Sequence, residues 1–174
     1  MNVILIGYRG SGKTTIGKKL ANQLWKDFVD VDHEICKRFD NSSIADIWQT
    51  HGEPRYREVE VEVTRELIHR TNQVIALGGG TLMQPGAREA VEQAADAKRI
   101  YLYADPTVLH RRIEADAQTA ATRPALTAQG GGLDEVKAVL NDRDPVYRAV
   151  ADVVFNVTDI TPDEAVRLLV TKHL

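Results

Sequence analysis

Residues 2–15 read NVILIGYRGSGKTT, an apolar run that breaks into glycines and ends on a lysine and two threonines. The spacing Gly7-x-x-x-x-Gly12-Lys13-Thr14, set between a strand pattern and a helix pattern, is the form of a phosphate-binding loop. Backbone N–H groups freed at Gly10, Ser11 and Gly12, and at the following helix N-terminus through Thr15, are expected to point at phosphate oxygens. Lys13 is expected to reach the β and γ phosphates, and the Thr14 hydroxyl to ligate magnesium. The stretch leaves one question open: whether the terminal phosphate goes to water, to another nucleotide, to a small metabolite or nowhere.

Outward from this loop, β-rich apolar runs recur at residues 3–6, 28–31, 74–77, 99–103 and 153–157. Helical spacing separates them: Ile16, Leu20 and Leu24 after the glycines, then Ile44, Ile47 and Trp48 behind a Ser43 cap, then Val59, Val63 and Leu67. Such alternation predicts an α/β three-layer sandwich with a five-stranded parallel sheet, its ligands beyond the carboxyl ends of the strands. Residues 116–132, DAQTAATRPALTAQGGG, carry no apolar period and exceed an ordinary connection, so a mobile lid is expected there. No internal repeat or linker divides the 174 residues, and one domain is expected.

Composition narrows the function. A net charge of -3 argues against an electrostatically driven nucleic-acid surface, so any anion site must be local. The single Cys36 has no intrachain disulfide partner, and the opening apolar run is too short for a signal peptide or a membrane span, which points to the cytoplasm. The five histidines show no metal-ligand spacing, so no structural metal is expected.

Four further elements bear chemistry. Asp30-Val31-Asp32 ends the second strand pattern, where alternation sends both carboxylates to one side. Asp30 is placed to hold magnesium through water beside Thr14, and Asp32 to accept a substrate hydroxyl's proton, while a plain strand-ending turn remains open. In GEPRYREVE, residues 52–60, Arg55 and Arg57 point apart on a helix, and Glu60 falls where it would brace Arg57, for an anion or as a surface ion pair. Gly78-Gly79-Gly80 follows the third strand, where backbone can approach a ligand or simply turn. That strand ends in Ala76-Leu77 without a magnesium-binding acid, leaving Asp30 as the available carboxylate. Arg123 in the lid is placed to close over a triphosphate, unless it is an exposed loop arginine, and Arg143 sits with Tyr147 in NDRDPVYR.

In order, GYRGSGKT, VDVD, SIADIW, GEPRYREVE, LGGGT, RPAL and RDPVYR closely resemble the shikimate kinase family over nearly the whole chain. The resemblance implies a P-loop fold like the nucleoside monophosphate kinases, and transfer of the γ-phosphate of ATP to the 3-hydroxyl of shikimate on the route to chorismate and aromatic amino acids. It implies that Asp32 binds shikimate hydroxyls while Arg57, Gly79 and Arg143 gather its carboxylate. It further implies Lys13 and Arg123 on the phosphates, Mg2+ on Thr14 with Asp30 nearby, and a substrate-binding insertion over about 32–60. Two positions depart from the family pattern: Tyr56 stands where phenylalanine is common, and Pro54 lies inside the arginine element, which would shift the start of that helix. A gluconate kinase would share the loop without needing this arginine arrangement, a GTPase would need a guanine-reading element that is missing, and a non-catalytic relative would be expected to lack Lys13, Asp32 or an arginine.

Overall fold

The computed structural model describes residues 1–116 and 132–174. Among them, β1 (Asn2–Ile6), β2 (Asp27–Asp30), β3 (Gln73–Ala76), β4 (Ala97–Tyr103) and β5 (Val153–Asn156) form one sheet in the order β2-β3-β1-β4-β5. Every neighbouring pair is parallel, with Val3 opposite Val74 and Ile100 opposite Val153. The intervening helices are α1 (Lys13–Leu24), α2 (Val31–Arg38), α3 (Ile44–His69), α4 (Pro85–Gln93), α5 (Pro106–Ala115), α6 (Leu133–Val150) and α7 (Pro162–Lys172). The lid expected over 116–132, and Arg123 with it, lies outside the described residues except for Asp116 and Gly132.

The chain leaves central β1 for β2 in one direction and then steps back across the sheet through β3, β4 and β5. Right-handed crossovers therefore set α1 on one face, where it packs with α7, and α3, α4 and α6 on the other. Burial on both faces explains why β1 is continuously apolar rather than alternating: Val3, Ile4, Leu5 and Ile6 are all buried. The carboxyl ends of all five strands consequently open on one edge of the sandwich.

One local feature differs from the sequence expectation, and a second, at Pro54, marks where a helical segment starts. The second strand ends at Asp30, and Asp32 lies in the first turn of α2 rather than at the end of a strand. The cause is a cap: the Asp30 side chain accepts the Asp32 backbone N–H at 3.1 Å, which starts the helix one residue after the strand stops. The two carboxylates thus serve different tasks instead of sharing one face. In α3, Gly52 takes φ 81° and ψ 155°, breaking the helix into two segments, and Pro54 sits just after the break, where its missing N–H costs no helical bond.

The first segment of α3 starts as expected at Ser43, whose hydroxyl oxygen accepts the Asp46 N–H at 3.1 Å while its own O–H donates to the Asp46 carboxylate at 2.6 Å. Ser43→Ala is expected to destabilise the protein by about 1 kcal/mol, read from the urea midpoint at unchanged slope.

Candidate functional site

The loop between β1 and α1 wraps around its own lysine. Lys13 Nζ donates to the carbonyl oxygens of Gly7 (2.7 Å) and Tyr8 (3.0 Å), so the ammonium is held over the loop. Gly12 adopts φ 90°, a left-handed turn that an L side chain resists, and it begins α1 with no side-chain cap and no acid in the first turn. By contrast α2, α3, α5 and α7 are capped by Asp30, Ser43, Asp105 and Thr161. With no capping side chain and the helix dipole behind it, the start of α1 suits an anion. The cavity they line is about 340 Å³ and includes Gly10, Ser11, Thr14 and Thr15. Beside it, the Thr14 hydroxyl donates to Asp30 Oδ2 at 2.8 Å.

The same cavity exposes a residue that no sequence motif singles out. Arg112 lines it with Val157, Ile160 and Pro162, and Arg112 is pinned by donating to the carbonyls of Val157 (2.9 Å) and Thr158 (3.3 Å). A flat guanidinium beside apolar side chains suits a nucleotide base. Its spacing carries no signal, because its neighbours come from the far end of β5.

A second, smaller recess of about 50 Å³ opens next to the first, lined by Ile44, Trp48, Tyr56, Arg57, Gly80 and Arg143 among others. Its arginine is heavily constrained. Arg57 Nη1 donates to Glu60 Oε2 at 2.9 Å, while Nε and Nη2 both reach Glu53 Oε1 at 3.1 Å. The guanidinium also lies 5.5 Å from the Trp48 ring and 5.3 Å from the Tyr56 ring. Burial works against its charge, but the Glu60 carboxylate and these hydrogen bonds more than offset that and hold its pKa above the ordinary value. Glu60, wholly buried, also accepts the Thr81 hydroxyl at 2.7 Å; burial pushes its carboxyl up, opposed by Arg57 and Thr81. Arg55 faces away and pairs at 2.9 Å with the exposed Glu58, as the two-residue offset predicts.

On the opposite wall, Arg143 Nη1 donates to the Gly79 carbonyl at 2.9 Å, and the Tyr147 hydroxyl donates to the same oxygen. Burial pushes the Tyr147 phenol up to about 12, so it stays protonated and acts as the donor. The helix bearing both is fixed to the sheet through Tyr101, whose hydroxyl donates to Asp144 at 2.8 Å. Three residues, Arg9, Asp32 and Gly79, line both cavities, so the two spaces meet there. Arg9 carries no signal in sequence because the loop spacing leaves its position variable. Among the described residues no group of three or more His, Cys, Asp or Glu side chains forms a metal site.

The three glycines after β3 do not act alike. A Cβ at Gly78 would fall 2.5 Å from Asp32 Oδ1 and 3.0 Å from Glu60 Oε1, and one at Gly80 would fall 2.8 Å from Arg57 Nη1. These two make room for the site's own side chains rather than for a ligand, whereas a Cβ at Gly79 meets nothing nearer than 3.5 Å. Gly78→Ala is therefore expected to destabilise by about 1–3 kcal/mol in denaturant unfolding, and Gly79→Ala by less than about 0.5 kcal/mol.

Comparison with known proteins agrees with this geometry. The family model described as shikimate kinase matches residues 9–173. A shikimate kinase of Nitrosococcus oceani is 39% identical over 173 residues, 99% of this chain and 86% of the relative. One of Caldicellulosiruptor bescii is 36% identical over 174 residues, 99% of this chain and 95% of the relative. Among solved structures, the shikimate kinase of Acinetobacter baumannii in complex with shikimate superposes with a TM-score of 0.87 at 31% identity, covering 99% of this chain and 94% of that one. A phosphate-binding loop, an adjoining recess lined by Arg57 and Arg143 and this likeness along nearly the full length lead to one conclusion: the chain belongs to the shikimate kinase family.

Proposed function

We propose that the two connected cavities are the donor and acceptor halves of one phosphotransfer site, in which ATP phosphorylates the 3-hydroxyl of shikimate. The observation that carries this reading is their meeting at Arg9, Asp32 and Gly79, since a phosphoryl group can pass in line only between spaces that touch. The activity itself is that of the family to which the chain belongs.

The triphosphate lies along the loop, accepting N–H groups from Gly10, Ser11 and Gly12 and from the start of α1 at Lys13, Thr14 and Thr15. Lys13, held over Gly7 and Tyr8, moves little to meet the β and γ oxygens, so its charge is preorganised for the transition state. The base extends toward Arg112 and Pro162. In the recess, Arg57 and Arg143 face the acceptor's carboxylate, and Gly79 lies between the two halves. Asp32 takes the proton of the acceptor hydroxyl as the hydroxyl oxygen forms a bond to the γ phosphorus and the bond to the β-bridging oxygen breaks, releasing ADP. These assignments also make about 32–60 the acceptor-binding insertion, supported by Ile44, Trp48, Tyr56, Arg57 and Glu60 on one recess wall.

Thr14 and Asp30 fit a magnesium ion that takes most of its octahedral shell from phosphate and water. A hydroxyl and one carboxylate in contact at the loop are the oxygen donors such an ion accepts. When bound, magnesium would neutralise charge on the β and γ phosphates. Among the described residues no helix is long and apolar enough to cross a membrane. The cytoplasm is the proposed compartment, supported by a sequence that carries a single cysteine, Cys36.

Lys13→Ala is expected to fold and to lose turnover by roughly a hundredfold or more in a coupled ADP-release assay. Near-normal turnover would remove the loop from the reaction. Arg57→Ala and Arg143→Ala should each weaken shikimate by about 2–5 kcal/mol in calorimetric titration, leaving an ATP analogue little changed. Arg55→Ala, exposed, is the control and should cost well under about 1 kcal/mol. Equal losses at 55 and 57, or losses confined to ATP, would overturn the assignment of the recess.

A further inference from the structure

Asp32 is held by more than its place in α2. Tyr56 Oη donates to Asp32 Oδ1 at 3.1 Å, and both groups are buried, with Tyr56 2% and Asp32 9% exposed. The phenol cannot exchange roles with the carboxylate. Burial first, and then the negative charges of Asp32 and Glu60, push it far above its ordinary value, so it remains a donor throughout the working range of an enzyme. A carboxylate oxygen accepts readily from such a donor, and at 3.1 Å the contact lies at the long end for an O–H···O bond.

The bond matters because of which freedom it removes. The cap on Asp30 fixes the backbone at Asp32, but the terminal torsion of an aspartate is broad and twofold, so backbone alone does not aim its oxygens. The bare Gly78 admits Oδ1 at a distance no Cβ would tolerate, and the Tyr56 hydroxyl then holds that oxygen in place. The tyrosine ring itself is fixed, with the Trp48 ring edge-on at 6.0 Å and the Arg57 guanidinium at 5.3 Å. We propose that the Tyr56 hydroxyl is a positioning group for Asp32: by fixing one carboxylate oxygen beside Gly78 it aims the other at the junction of the two cavities, where the acceptor hydroxyl reacts.

This rests on the assignment of Asp32 as the group that meets the acceptor hydroxyl. It also makes one turn of α3 serve both ends of the acceptor, since Tyr56 aims the carboxylate that meets its hydroxyl while the next residue, Arg57, meets its anionic group. Tyr56 is thus distinguished from the rest of the recess wall by acting on the rate of transfer rather than on affinity.

The test is a double-mutant cycle on the full chain, with ADP release measured against shikimate and against ATP. Tyr56→Phe deletes only the oxygen and keeps the ring. It is expected to lower kcat about tenfold, to leave KM for ATP unchanged and to shift KM for shikimate by less than about threefold. In an Asp32→Ala background the same change is expected to have no further effect on kcat, because the group it positions is gone. A kcat for Tyr56→Phe within twofold of the parent overturns the proposal, as does an equal loss in both backgrounds. Melting temperatures identify a merely structural role, which would lower stability without lowering kcat. Failure of the underlying assignment is separable: it appears as near-parental turnover in Asp32→Ala alone. Should that variant not fold, Tyr56→Phe still decides through the split between kcat and the two KM values.

Discussion

A carboxylate with no access to water is the constraint on which the acceptor side of this protein depends. Glu60 must find partners inside, and it finds two, the Arg57 guanidinium and the Thr81 hydroxyl. Those partners belong to different parts of the fold, one on α3 and one on the short turn after β3, so satisfying the charge also joins helix to sheet edge. The glycines at 78 and 80 follow from the same knot. Side chains there would occupy the volume that Asp32, Glu60 and Arg57 need, so the tripeptide is better understood as the negative image of the site than as a flexible hinge.

The phosphate-loop side is organised differently, around a helix start that carries no capping side chain. The start of α1 has neither a capping side chain nor an acid, while the neighbouring helix α2 is capped by the aspartate that also receives Thr14. One helix N-terminus is thus left without a capping side chain, and the next is closed by a carboxylate that the Thr14 hydroxyl reaches at 2.8 Å. The sheet brings both to one edge because parallel strands all end on the same side.

Much of this is legible in the chain itself. The buried run of β1, the loop spacing, the Ser43 cap, the exposure of Arg55 and the brace of Glu60 on Arg57 all derive from periodicity and short-range spacing, which act over a few residues. The features that escape the sequence depend on contacts across the fold. Asp32 reads as the end of a strand because nothing local says that Asp30 will cap a helix immediately; alternation and capping use the same residue types. The Gly79 carbonyl draws Arg143 and Tyr147 from a helix more than sixty residues away, and Arg112 is placed by carbonyls beyond β5. The Tyr56 oxygen is visible as a departure from the family pattern, but its partner is not.

The strand order has a bearing on how the chain comes into being. β1 is made first, yet its two neighbours begin at residues 73 and 97, and no strand adjacent in sequence pairs with it. The phosphate loop therefore cannot settle when its own residues leave the ribosome; it waits until most of the chain has emerged and both flanking strands have closed on β1. A nascent chain truncated before β4 would carry the whole loop sequence and still expose an apolar edge in place of a nucleotide site. Nucleotide binding during synthesis would accordingly report the closing of β3 and β4 on β1 rather than the emergence of the loop's own residues.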